Sequence, residues 1–264
     1  MIDSQSSAPN PAIQDPVVEF RGAGLTLPTG KTLVADLNFA VRRGETLVLL
    51  GRSGSGKTTT LKLVNRLLET TSGAVFVEGK PAADWDPFRL RRHIGYVIQE
   101  TGLFPHFTVE RNIALVPRLE GWLEERTRER VREMLTLVGL PADAFSARYP
   151  RELSGGQRQR VGVARALAAD PPIILMDEPF GALDPITRRQ LQREFRRIQA
   201  RVEKCVILVT HDMAEALALG DRIGVMEGGR LIWVGTPQQI VESDDARVRA
   251  LLESVLPLPR SGSA

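Results

Sequence analysis

With 264 residues and 42% hydrophobic content, the chain can bury the core of one or two compact domains without staples. Its single cysteine, Cys205, excludes an internal disulfide framework and reads as a small buried thiol, and no Cys/His spacing suggests a zinc site. The 35 basic and 32 acidic residues leave a net charge of only +3, too even to predict nucleic-acid binding, and no apolar run reaches the ~18–20 residues needed to span a bilayer.

The first sixteen residues are rich in Ser, Pro, Asn and Gln, which predicts a disordered tail with no secretory signal core. From Val17 onward, β-rich runs alternate with longer helical patterns, the signal for an α/β fold with a mainly parallel sheet. VVEF reads as a first strand. TLVLLG, ending at Gly51, reads as a strand buried on both faces. It runs directly into GRSGSGKT, Gly51 to Thr58, which fits the phosphate-loop pattern G-x-x-x-x-G-K-[ST] and opens into the helical run TTTLKLVNRLL. Glycines let the backbone N–H groups wrap a phosphate chain, and the helix N-terminus adds partial positive charge. The nucleotide-binding segment is therefore expected to be Gly51, Arg52, Ser53, Gly54, Ser55, Gly56, Lys57, Thr58 and Thr59, with Lys57 on the β- and γ-phosphates of ATP and the Thr58 hydroxyl on Mg2+.

From about Thr108 to Ala168 the pattern turns helical and rich in Arg and Glu, which predicts a helical insertion. Near its end LSGGQ, Leu153 to Gln157, puts Ser154 at an N-cap, and its hydroxyl with the Gly155 and Gly156 amides offers a second anion site. IILM, ending at Met176, is a second buried strand leading to Asp177, suited to hold Mg2+, and Glu178, suited to orient and deprotonate an attacking water. VILVT, ending at Thr210, is the third. Ligands of open α/β sheets bind beyond the carboxyl ends of the strands, so these three junctions are expected to converge. The Arg-rich stretches EERTRERVRE and TRRQLQREFRRIQARVEK read as solvated helix faces, with docking to a charged partner as the second reading.

Taken in this order, the phosphate loop, LSGGQ, DEP and His211 after a strand resemble the ATP-binding cassette subunits of ABC transporters, over about Val17 to Leu252. The resemblance implies a P-loop NTPase core with a mainly parallel sheet, N-terminal antiparallel β strands and an inserted helical subdomain. Its divisions would be a core of 17–98 and 171–252, a helical subdomain of 99–170, and tails at 1–16 and 253–264. It implies a homodimer, or a pair with another cassette subunit, in which Ser154, Gly155, Gly156 and Gln157 of one subunit close on the nucleotide held by the other. Asp184 in GALD would cross the dimer interface, His211 would contact the γ-phosphate and the attacking water, and Gln99 in YVIQ would reach Mg2+ and water. The family's usual adenine-stacking aromatic is missing: the aligned place holds Leu27, and the nearest aromatic is Phe20.

Longer stretches, VNRLLE, LRRHIGYVIQETGLFPHFTVERNIALVPRLEGW and DEPFGALDPITR, resemble the ATPases of prokaryotic importers for quaternary amines such as glycine betaine, choline, carnitine and proline betaine. This implies an integral-membrane permease and an extracytoplasmic substrate-binding protein as partners, no nucleic acid, and a peripheral location on the cytoplasmic face of the inner or plasma membrane. Leu103, Phe104 and Phe107 are expected either to offer an apolar surface to a short permease helix or to pack internally. The regulatory CBS modules that many relatives carry are not expected in the tail 253–264.

Overall fold

The central strands Thr46–Leu50, Ile173–Asp177 and Cys205–Thr210 are buried at every position and so need cover on both faces, and that requirement organises the molecule. The computed structural model describes residues 15–253 apart from Glu100, Thr101 and Ala182, so the two expected tails lie, but for Asp15, Pro16 and Glu253, outside the described residues. The first third of the chain forms β1 (Val18–Thr26), β2 (Thr32–Val41), β3 (Thr46–Leu50), α1 (Lys57–Val64), β4 (Ser72–Val77), β5 (Lys80–Pro81), α2 (Pro87–Arg92) and β6 (Ile94–Val97). Five helices follow: α3 (Val109–Ile113), α4 (Leu115–Leu119), α5 (Glu124–Leu137), α6 (Ala142–Phe145) and α7 (Gly155–Leu167). The α/β pattern then resumes with β7 (Ile173–Asp177), α8 (Pro185–Val202), β8 (Cys205–Thr210), α9 (Met213–Leu219), β9 (Arg222–Glu227), β10 (Arg230–Gly235), α10 (Pro237–Val241) and α11 (Ala246–Glu253).

One sheet is antiparallel, in the order β2-β1-β4-β5. The other runs β10-β9-β3-β8-β7-β6 and is parallel except for β10 at its edge. Alternation along its strands divides the core in two. Leu47, Leu49, Ile173, Leu175, Ile207 and Val209 face Phe20, Val34 and Leu61, that is, the antiparallel sheet and α1. Val48, Leu50, Ile174, Met176, Val206 and Leu208 face Leu135, Val161 and Phe195 of α5, α7 and α8. Every one of these side chains is buried, and each contributes roughly 1.5–3 kcal/mol of hydrophobic free energy. Cys205 lies in the first cluster, where burial pushes its thiol far up from the ordinary value.

The helical insertion expected from Thr108 to Ala168 is thus α3 to α7, between β6 and β7. Side chains fix several helix starts. Thr108 accepts from Arg111 N–H at α3, Asp184 from Ile186 and Thr187 N–H at α8 ahead of Pro185, and Asp212 from Ala214 and Glu215 N–H at α9. No helix among the described residues is long and apolar enough to cross a membrane.

Candidate functional site

Because β3, β8 and β7 are neighbours in that order and parallel, the three segments that follow them emerge side by side. The first is the phosphate loop. A Cβ at Gly51 would strike the Met226 carbonyl and come within 2.7 Å of Ser55 Oγ. Gly56 turns the chain at φ +102°, where a Cβ would meet Val34 Cγ1 of β2 at 2.7 Å. No side chain caps α1 at Gly56, so its N-terminus remains open to an anion. Lys57 is 5% exposed, and its Nζ donates to Gly51 O at 2.7 Å and Arg52 O at 3.0 Å. Burial lowers its pKa, opposed by the charges of Glu178 and Asp177.

Asp177 ends β7 and is 7% exposed, inside the strand rather than in the turn after it. Its Oδ1 accepts from Thr58 Oγ1 at 2.9 Å, and burial together with the nearby Asp177 charge pushes the Tyr96 hydroxyl far up from its ordinary value. Burial raises the Asp177 pKa, and the Thr58 bond offsets part of that. Glu178 stands in the left-handed region at φ +43°, a conformation costing a non-glycine residue on the order of 1–2 kcal/mol. It is held there by its N–H donating to Val209 O at 3.0 Å and its carbonyl accepting from Gly181 N–H at 3.2 Å. The reversal lets consecutive carboxylates serve different partners. Asp177 meets Thr58 of α1, and Glu178 Oε2 lies 3.1 Å from His211 Nδ1.

His211 sits in a turn tied on both sides. Thr210 Oγ1 accepts from Asp212 N–H at 3.0 Å and donates to Glu215 Oε2, while Asp212 Oδ1 caps α9. Burial pushes Glu215 up to about 7. On the other side, Arg188 NH1 donates to Asp212 Oδ2 at 3.2 Å. Arg189, Arg193, Arg196 and Arg197 of the second Arg-rich stretch are exposed, as expected of a solvated face, whereas the Arg188 side chain is 30% exposed and is engaged by two loops. Tyr96 and Arg188 carried no motif signal. Only their positions, on the strand before Gln99 and four residues after Asp184, pointed toward the site.

The remaining expected residues are not joined to this centre. Ser154 and Gln157 form a capping box on α7, with Ser154 Oγ accepting from Gln157 N–H at 3.2 Å and Gln157 Oε1 from Ser154 N–H at 2.9 Å. A Cβ at Gly156 would meet Thr187 Cγ2 at 2.8 Å, so α7 begins close against α8. Asp184 is exposed, and its bonds to Thr187 lower its pKa. Gln99 is exposed and leaves β6 beside the Asp177–Glu178 pair, since Val97 is level with Met176. Leu27 is half-buried in the turn after β1, whereas Phe20 is 2% exposed and stacked on Phe39 at 4.4 Å, which removes it as a platform for a base.

Known proteins resemble this chain in sequence and fold. The family model for ABC transporters matches residues 34–181. The chain is 52% identical over 218 residues to the choline transport ATP-binding protein OpuBA of Bacillus subtilis, covering 83% of this chain and 57% of that protein. It is 52% identical over 208 residues to the osmoprotectant import ATP-binding protein OsmV of Salmonella typhimurium, covering 79% and 54%. The chain therefore spans a little over half the length of these curated relatives. Among solved structures, it superposes on a dimeric post-hydrolysis state of the ATP-binding cassette MJ0796 bound to ADP and Pi with a TM-score of 0.75 and 33% identity, covering 83% of this chain and 98% of that one. For cbiO1 of Clostridium perfringens the TM-score is 0.80 at 26% identity, covering 92% and 97%. A family match over more than half of the chain, beside relatives at half identity, establishes that this chain belongs to the ABC transporter family.

Proposed function

We propose that this chain is the ATP-hydrolysing subunit of a membrane importer for quaternary-amine osmoprotectants. Its nucleotide-binding core would be 17–98 and 171–252, and its helical subdomain 99–170. The observation that carries the ATPase reading is the meeting of Lys57, Thr58, Asp177, Glu178 and His211 at the carboxyl ends of three adjacent strands. The solute class is supported by relatives whose names specify choline, glycine betaine or osmoprotectant transport.

The Thr58 hydroxyl and Asp177 carboxylate are hard oxygen donors 2.9 Å apart, in a site where burial disfavours bare negative charge, and so they fit Mg2+. When bound, the ion neutralises charge on the β- and γ-phosphates. Lys57 exchanges its two loop carbonyls for phosphate oxygens, and the open end of α1 supplies backbone donors. Glu178 accepts the proton of the attacking water on Oε1, because Oε2 is held by His211. In the paired state, the Gly155 and Gly156 amides at the start of α7 face the nucleotide of the second subunit, Asp184 lies at the seam, and Gln99 joins the metal shell. Such a state gains affinity from ATP that ADP cannot give, since only ATP offers a γ-phosphate to both halves.

Leu27 lies where the base would rest, so the adenine ring meets an aliphatic side chain. Leu27→Tyr is expected to tighten ATP binding about 2- to 10-fold, the worth of one added ring contact. Titration of a fluorescent ATP analogue tests this, and an unchanged Kd would move the base elsewhere.

The permease contact is assigned to the loop before α3. Asn112 holds that loop: its Oδ1 accepts from Phe104 N–H at 2.8 Å, and its Nδ2 donates to the carbonyls of Phe104, Phe107 and Thr108. Leu103 packs inward, which leaves Phe104, 40% exposed, and the half-buried Phe107 as the apolar surface. The test is capture of the tagged chain from detergent-solubilised native membranes. Recovery of a multi-spanning permease with a quaternary-amine-binding protein is expected, with permease recovery lost in Phe104→Asp at unaltered ATP binding. Recovery of only soluble proteins or nucleic acid would overturn the transport reading.

A further inference from the structure

The guanidinium of Arg188 touches two loops that the catalytic reading treats separately. It lies in the first turn of α8, four residues after Asp184. Its NH2 donates to the Leu183 carbonyl at 3.2 Å and, more weakly, to the Gly181 carbonyl at 3.5 Å, both in the turn that precedes Asp184. Its NH1 donates to Asp212 Oδ2 at 3.2 Å. The other oxygen of Asp212 is already used as the cap of α9, so the carboxylate is clamped from both sides one residue beyond His211. Arg188 Nε is buried without a partner, a donor that a small approach of the turn could satisfy.

A planar fork with five donors suits such a bridge, because it fixes direction as well as distance, and lysine cannot reproduce it. Gly181 and Asp184 are exposed, whereas the His211 turn is braced by Thr210 and Glu215 on the buried side. Arg188 is the one described side chain with hydrogen bonds to both turns.

We propose that Arg188 is a positioning residue that links the Asp184 turn to His211, so that a second copy of the cassette closing on that turn fixes the imidazole beside Glu178. The inference rests on the proposed role of His211 and on pairing through Asp184. It makes one site's readiness depend on contact by the other chain, without Arg188 touching nucleotide.

The test uses the full chain and the variants Arg188→Met, Arg188→Lys and His211→Ala. The chain has only three histidines, so the ring resonance of His211 can be assigned by its loss in His211→Ala. In wild type, a non-hydrolysable ATP analogue at concentrations that produce the dimer is expected to shift that resonance. In Arg188→Met the shift should be lost, with analogue affinity within twofold of wild type, and Arg188→Lys should restore it only in part. In turnover, Arg188→Met is expected to lower kcat at least tenfold with KM within twofold, and to add little to His211→Ala, as for residues acting through one another. A wild-type His211 shift in Arg188→Met, or fully multiplicative losses in the double variant, would overturn the link. Absence of ATP turnover in wild type would instead strike the ATPase reading, while the resonance arm would still decide on Arg188.

Discussion

Glu178→Gln is expected to lower ATP turnover by about 10²- to 10⁴-fold, the range for loss of a positioned general base. The substitution keeps the size of the side chain and leaves an amide oxygen to face His211 Nδ1, so the 3.1 Å contact and the reversal at φ +43° survive. What disappears is the site that accepts a proton from water. Nothing in the Lys57, Thr58 and Asp177 arrangement is altered, so ATP still binds, and the dimer formed around it should persist instead of parting. Phosphate release measured beside gel filtration with MgATP separates the two effects. Wild-type turnover would remove Glu178 from the role of base; low turnover without a retained dimer would remove ATP as the bridging ligand.

A second large effect is expected from Lys57→Ala, a loss of ATP affinity on the order of 10²- to 10³-fold. Truncating one member of a buried, hydrogen-bonded charge pair costs roughly 2–5 kcal/mol. The resting protein should suffer much less. The ammonium is desolvated, which lowers its pKa, and its present partners are two neutral carbonyls, so removing it also relieves a buried charge. The nucleotide-free variant is therefore expected to melt within about 4 °C of wild type, the shift that ~1 kcal/mol gives a chain of this size. Calorimetric titration with ATP and a thermal melt without it test both statements. Binding within threefold of wild type would mean that the phosphates do not lie in the Gly51–Thr58 loop.

The features legible in the sequence are those written locally. Runs such as TLVLL and VILVT declared strands buried on both faces, and the structure covers them with a sheet and α1 on one side and helices on the other. GRSGSGKT, LSGGQ and MDEP each announced a turn or cap, and their order carried the family resemblance. Pairings across the chain were not legible. Glu178 and His211 are far apart in sequence and meet only because β7 and β8 are adjacent, with Asp177 level with Val209. The positive φ of Glu178 has no composition signal, since glycine is the usual occupant and glutamate stands there instead. Arg188 was hidden among neighbouring arginines that resemble an ordinary charged helix face. Tyr96 was hidden by its hydrophobic company, because only the lateral register of β6 on β7 brings its hydroxyl toward Asp177.

The placement of β3 has a consequence for how the chain is made. Its two sheet neighbours are β8 and β9, with Thr46 paired to Val206 and Leu47 to Arg222, so both arrive more than 150 residues after it. At synthesis rates of about 5–20 residues per second, the interval is roughly 8–30 s. Throughout that time a five-residue strand that is buried at every position in the folded chain has no lateral partner, the situation in which nascent chains call on chaperones. The same delay applies to the site: until β8 docks beside β7, Glu178 and His211 cannot come within their 3.1 Å contact, so the pair is completed only when the last third of the chain joins the sheet.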